Sequence, residues 1–110
     1  MREFHLLAVR FDGHTLHADV PLSRLIGPEC IKNLVDDFER LCEFGASVVR
    51  LDLCSVQFID PRFAGTLITL AVSLKKVGAR LTVTASPELE EVLLATKLDQ
   101  LFELLGCDGT

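Results

Sequence analysis

At 110 residues and 49% hydrophobic side chains, the chain can build one core and not two. Its formal charge of −5 disfavours nucleic acid as a partner, because phosphate binding depends on basic patches. No run of about 18 apolar residues is present, so no membrane insertion is expected.

The opening MREFHLLAVRFDG has no small-residue cleavage site, so it reads as a strand rather than a signal peptide, and a cytoplasmic protein is expected. Phe4 to Arg10 and His14 to Val20 form two strands joined at Asp12-Gly13, a hairpin signal. In the second run Leu16, Ala18 and Val20 alternate with polar residues, which predicts one buried face. Leu22, Leu25 and Ile26 then fold back on the core. Pro28 opens a helix at a position where its missing N–H costs nothing. Ile31, Leu34, Val35, Phe38, Leu41 and Cys42 make its apolar stripe, and Asp36 and Asp37 fall on the wet side with other charges. Gly45 supplies its left-handed cap.

Ser47 to Leu53 reads as an interior strand of a sheet with both faces mostly covered. A second helix runs from Pro61 to Val77 and stops at Gly78. Arg80 to Ala85 is the next strand. Ser86 caps a third helix, with Pro87 at its first position and Leu89, Val92, Leu93 and Thr96 facing inward. Asp99 to Leu105 suits a last short helix, and Gly106 to Thr110 a frayed tail. Strands alternating with helices predict a single α/β domain over 1–110. It is a sandwich with a mixed, mainly parallel sheet of about four strands, an N-terminal hairpin and about four helices.

Cys30, Cys42, Cys54 and Cys107 show no metal-ligand spacing. The first three read as reduced core residues and Cys107 as an exposed tail thiol, with no disulfide expected. His5, His14 and His17 all lie in the hairpin, and His14 and His17 fall on opposite strand faces, so no metal site is expected. No nucleophile has a local base, and neither a Walker loop nor GxGxxG occurs, so neither enzyme activity nor a cofactor is expected. Asp60 reads as the cap of the second helix and Asp52 as a strand-end residue. Along that helix Arg62, Thr66, Thr69 and Ser73 form a narrow polar stripe beside a core face of Phe63, Leu67, Leu70, Ala71 and Leu74. The stripe reads as a docking face with Arg62 as a protruding anchor.

The segment VVRLDLCSVQFIDPRFAGTLITLAVSLKKVGARLTVTASPELEEVLLATKLDQLFEL resembles a STAS domain, most strongly over 48–104. Its LDL strand, the FID before the helix, Gly65, KKVGARL and KLDQLFEL carry the likeness. This domain is shared by bacterial anti-sigma-factor antagonists, stressosome proteins and the cytoplasmic parts of sulfate transporters. The resemblance implies a SpoIIAA-like fold and a signalling module, active in transcription regulation, that binds a kinase-like anti-sigma factor or another STAS protein. The family's loop reads Asp-Ser-Ser/Thr-Gly-Leu-Gly, and its second hydroxyl is phosphorylated by the partner. Here the matching positions are Asp60, Pro61, Arg62, Phe63, Ala64 and Gly65. Arg62 has no hydroxyl and places a fixed positive charge where the family adds a negative one. Thr66 and Ser55 are the nearest hydroxyls and so the alternative phosphosites.

Three functional readings follow. The first is a non-enzymatic protein-binding module using Asp60, Pro61, Arg62, Phe63, Thr66, Thr69 and Ser73. The second is a nucleotide- or lipid-binding module with an anion at the helix N-terminus. The third is a cytoplasmic accessory subunit of a membrane transport system. An apolar edge at Phe4–Arg10 leaves room for a homodimer.

Overall fold

The computed structural model describes residues 4–107, with the side chain of Asp99 left aside. Strands β1 (Ala8–Phe11) and β2 (Thr15–Asp19) form the expected antiparallel hairpin, but residues 4–7, expected in its first strand, lie outside it. Asp12 builds its turn. Its carboxylate accepts the N–H groups of His14 at 3.0 Å and Thr15 at 2.7 Å, while Gly13 adopts φ 97°, which glycine tolerates. Then come β3 (Arg24–Leu25), α1 (Pro28–Glu43), β4 (Val48–Leu53), β5 (Phe58–Ile59), α2 (Pro61–Lys76), β6 (Arg80–Ala85), α3 (Pro87–Ala95) and β7 (Glu103–Gly106). A 3-10 turn at Leu98–Gln100 precedes β7.

The main sheet has the order β1-β2-β4-β6-β7, and every pairing after the hairpin is parallel. Strands β3 and β5 make a separate two-stranded parallel ribbon. The mixed, mainly parallel sheet is therefore as expected, with one more strand and the added ribbon.

Each crossover from β2 through β7 moves across the sheet in one direction. Right-handed connections then put α1, α2 and α3 on the same face. Leu16, Ala18, Val49, Leu51, Leu53, Leu81, Val83 and Ala85 point from the sheet into that helical layer and are buried. Leu34, Phe38, Phe63, Leu67, Leu74, Leu89 and Leu93 meet them. Burying an aliphatic or aromatic side chain of this size contributes about 1.5–3 kcal/mol. The opposite face is open and carries Arg10, His17, Asp19, Arg50 and Asp52, so β4 is covered on one side only. Polar residues at alternate positions of β2 and β4 explain why that face tolerates water.

Beyond the one-sided covering of β4, both of whose faces were expected to be mostly covered, four expectations need correcting. Asp99–Leu105 is not a helix: Lys97 takes a left-handed φ of 61°, the chain makes one 3-10 turn, and β7 then adds to β6. Residues 103–106 gain ladder hydrogen bonds from β6 that local periodicity cannot register. Gly106 thus belongs to a strand, and 108–110 fall outside the described residues. Second, Asp37 is not on the wet side of α1. It is fully buried and accepts the backbone N–H groups of His5, Leu6 and Leu7 at 2.7–3.1 Å, tying the N-terminal segment to the helix. Third, Cys54 and Cys107 form a disulfide with Cα atoms 5.5 Å apart, whereas Cys30 and Cys42 are free and half-buried. Parallel strands β4, β6 and β7 end side by side, which brings these two cysteines together. Fourth, Val35, Val92, Thr96 and Ile26, all expected on the core, are exposed.

Candidate functional site

Two helices begin at the same corner. The N-cap of α1 is Gly27, which uses φ 104° to turn the chain out of β3. The N-cap of α2 is Asp60, at the end of β5. Backbone pairing fixes the two together, since Asp60 N–H donates to the Leu25 carbonyl at 2.7 Å.

The Asp60 carboxylate then joins both helix starts. Its Oδ1 accepts the backbone N–H of Arg62 at 3.0 Å, and its Oδ2 accepts that of Gly27 at 3.2 Å. The Arg62 guanidinium closes on the same group, with Nε to Oδ1 at 3.0 Å and Nη2 to Oδ2 at 2.6 Å. This is a bidentate, charge-assisted pair. The Arg62 guanidinium, with the Arg62 and Gly27 backbone N–H groups behind it, holds the Asp60 carboxyl well below the usual carboxylate range. Asp60 in turn pushes Arg62 upward. The cap explains how a cation can sit at the positive end of α2: the Asp60 anion lies between them.

Asp12, in the hairpin turn, is lowered from 3.8 to about 2, chiefly by the Thr15 and His14 backbone N–H groups. A carboxylate depressed in the folded state stabilises the fold above its unfolded pKa. That contribution is lost as pH falls through the folded one. Stability is therefore expected to fall from about pH 4 downward. Carboxyl carbon NMR titration should find Asp12 and Asp60 still ionised at pH 3. An ordinary carboxylate midpoint at either residue would contradict these contacts.

The sequence-derived residues occupy three situations. Pro61 and Arg62 are exposed at the corner. Phe63 is fully buried, so it supports the corner from beneath and offers no surface. Thr66, Thr69 and Ser73 line one wall of a groove of about 620 Å³ between α1 and α2, with Val35, Phe38 and Cys42 opposite and Arg62 also lining it. The Thr66 and Thr69 hydroxyls donate to the carbonyls of Arg62 and Gly65, at 3.1 and 3.0 Å. Ser55 is exposed in the turn after β4. Arg62 is thus not a free protruding side chain. It is partly exposed but folded onto its neighbour two residues back, a geometry that the dipeptide spacing allowed and the sequence reading passed over.

The ribbon β3–β5 adds residues that sequence reasoning missed. Phe58 is 55% exposed, and the Arg24 guanidinium lies 5.5 Å from its ring centroid. Ile26 is also exposed, just before Gly27. Phe58 lies two residues before the Asp60 cap, in a two-residue strand too short to show alternation, and nothing local marked Arg24. Ser86, the cap of α3, donates its hydroxyl to the Val56 carbonyl at 3.4 Å and so steadies the loop leading to the corner.

Among the described residues, no group of three or more His, Cys, Asp or Glu side chains could hold a metal ion. No helix among them is long and apolar enough to cross a membrane.

No protein-family model matches the chain, and no curated protein matches it. Solved structures do match. An anti-sigma factor antagonist from Mycobacterium paratuberculosis is similar with TM-score 0.78 and 19% identity, covering 90% of this chain and 83% of that one. The anti-sigma factor antagonist SpoIIAA in its unphosphorylated form gives 0.75 and 12%, covering 92% and 87%. The protein TM1081, solved by NMR, gives 0.69 and 19%, covering 96% and 85%. The chain has the STAS fold of anti-sigma factor antagonists.

Proposed function

We propose that this protein is a non-enzymatic regulatory module that docks a protein partner at the corner where α1 and α2 begin. Pro61, Arg62, Thr66, Thr69 and Ser73 form the contact surface, and Asp60 and Phe63 hold it in shape. The observation that carries this reading is the Asp60–Arg62 clamp. It fixes a cation beside a groove of small polar residues, at the position where the resemblance implies a phosphorylated hydroxyl. The partner is a kinase-like anti-sigma factor or another STAS protein. With arginine at that position, binding is constitutive or set by competition, rather than switched by phosphate at residue 62.

The geometry weighs against a phosphate of a nucleotide or lipid at this corner. The Gly27 and Arg62 N–H groups that would cradle such an anion already bond the Asp60 carboxylate. A role beside a membrane transporter would use the same surface and differ only in the partner.

The test is equilibrium binding to kinase-domain anti-sigma factors and to other STAS proteins. It compares wild type with Arg62→Glu and Thr69→Trp, each checked for folding by circular dichroism. We expect each variant to weaken binding at least about tenfold, roughly 1.4 kcal/mol. Unchanged affinity in both would reject the corner as the interface.

A further inference from the structure

We propose that Cys54 and Cys107 are a reversible thiol–disulfide exchange site that latches the C-terminal strand β7 onto the sheet. The inference does not depend on the partner reading above.

Placement is the first argument. Cys54 follows β4 directly and begins the turn that leads through Val56 to the Asp60 corner. Cys107 follows β7 directly at the far end of the sheet order. The bond therefore joins two parallel strands across the intervening β6. It spans 53 residues of sequence, including α2, β6 and α3.

Access is the second argument. Both cysteines are only half-buried. Both line one open cleft of about 480 Å³ on the uncovered side of the sheet, together with Arg50, Asp52 and Thr84. A cross-link whose sole role is to staple a core is normally shielded from attack, whereas one facing an open cleft can meet a thiolate in line. The other two thiols differ: burial pushes both Cys30 and Cys42 upward, which keeps them protonated and slow to exchange.

The third argument is how little else holds β7. Among the described residues it is an edge strand that pairs with β6 alone, over Glu103 to Gly106, and it also touches α3 and the 3-10 turn. Leu104 is its one side chain packed on the core, and Leu105 stays 37% exposed. A hydrogen bond from the Thr82 hydroxyl to the Glu103 carboxylate at 3.3 Å is the remaining side-chain tie. Without the disulfide, the strand keeps a short ladder, the Leu104 contact and the Thr82–Glu103 hydrogen bond. Its release would leave the outer ladder groups of β6 unpaired, an edge that can accept another strand.

The exchange balances with a monothiol of the glutathione class as reductant. Its thiolate attacks Sγ of Cys107, the Cys54–Cys107 bond breaks, and Cys54 leaves as thiolate. A second thiolate attacks the mixed disulfide at the small molecule's sulfur, releasing Cys107 as thiolate and the small-molecule disulfide. Two electrons pass to the protein, and its two thiolates take up two protons from solvent. The reverse sequence, driven by the small-molecule disulfide, restores the latch.

The test uses the whole chain in buffers of reduced and oxidised glutathione under native conditions. Alkylation and intact mass count free thiols, and amide hydrogen exchange reports on β7 and β6. Counted after a denaturing quench, oxidised protein should carry two free thiols, Cys30 and Cys42, and reduced protein four. On reduction, amides of 103–106 and of the outer edge of β6 should exchange about tenfold faster or more under conditions where the fold as a whole stays intact, and should lose protection to local opening, whereas α1 and β2 should speed up only by the factor set by the loss of global stability. The Cys54→Ser/Cys107→Ser variant should give the reduced pattern in any buffer. Several results would overturn the proposal. These are a bond that yields only when the protein is unfolded, four free thiols even in oxidising buffer, or β7 protection unaltered by reduction.

Discussion

Reducing the Cys54–Cys107 bond should lower the free energy of unfolding by up to about 4 kcal/mol. The bond closes a loop of 53 residues, and cross-linking a loop of that length removes on the order of 4 kcal/mol of chain entropy from the unfolded state at 25 °C. For a domain of this size the melting temperature should fall by roughly 15–20 °C. Urea melts with and without reductant, alongside melts of Cys54→Ser/Cys107→Ser, measure the effect. A difference under about 1 kcal/mol would contradict a formed cross-link.

The second large effect is expected at Asp37. Its two oxygens accept three backbone N–H groups, from His5, Leu6 and Leu7, and Oδ1 also lies 3.7 Å from Arg40 Nη1. Among the described residues that buried Arg40 nitrogen has no hydrogen-bond partner, and Asp37 is an opposite charge beside it. Asp37→Ala removes every acceptor at once, leaving buried donors unsatisfied, and should cost about 3 kcal/mol or more. Asp37→Asn keeps one carbonyl oxygen and should cost less, about 1–2 kcal/mol. Denaturant melts of the two variants should rank in that order. Hydrogen exchange should also place the added mobility at residues 5–7. An Ala variant as stable as wild type would mean that the N-terminal segment does not dock on α1.

What the sequence revealed, and what it hid, follows from the range of the interactions. The hairpin at Asp12-Gly13, the caps at Asp60 and Ser86 and the Pro28 start are written within three or four residues, and each stands where expected. The central strands were legible from alternation, because their inward residues meet a helical layer. Asp37 looked like any charge on an acidic helix face, since its partners lie 30–32 residues away and are backbone groups without sequence identity. The tail failed for a related reason. Leu101, Phe102 and Leu105 fit a helical stripe, yet only Phe102 is buried, and β6 offers a ladder that local spacing cannot anticipate. The disulfide depends on three strands ending in register, which is a property of the topology.

The candidate site was half legible. Asp60 as cap and the stripe of Arg62, Thr66, Thr69 and Ser73 were readable from helical spacing, and the stripe does line one groove. Charge pairing within the loop was overlooked. Arg62 was expected to protrude as an anchor, and the carboxylate that it grips is Asp60 itself. The ribbon residues Arg24 and Phe58 were hidden because two-residue strands carry too little pattern to recognise.

The most direct test of the docking account is an amide chemical-shift map of this protein titrated with a binding kinase-domain anti-sigma factor or STAS partner. The account predicts that shifts and line broadening concentrate at Arg62, Thr66, Thr69 and Ser73, and along the facing wall of α1. Perturbations confined to β1, β2 or the open sheet face, with the α1–α2 corner silent, would contradict it.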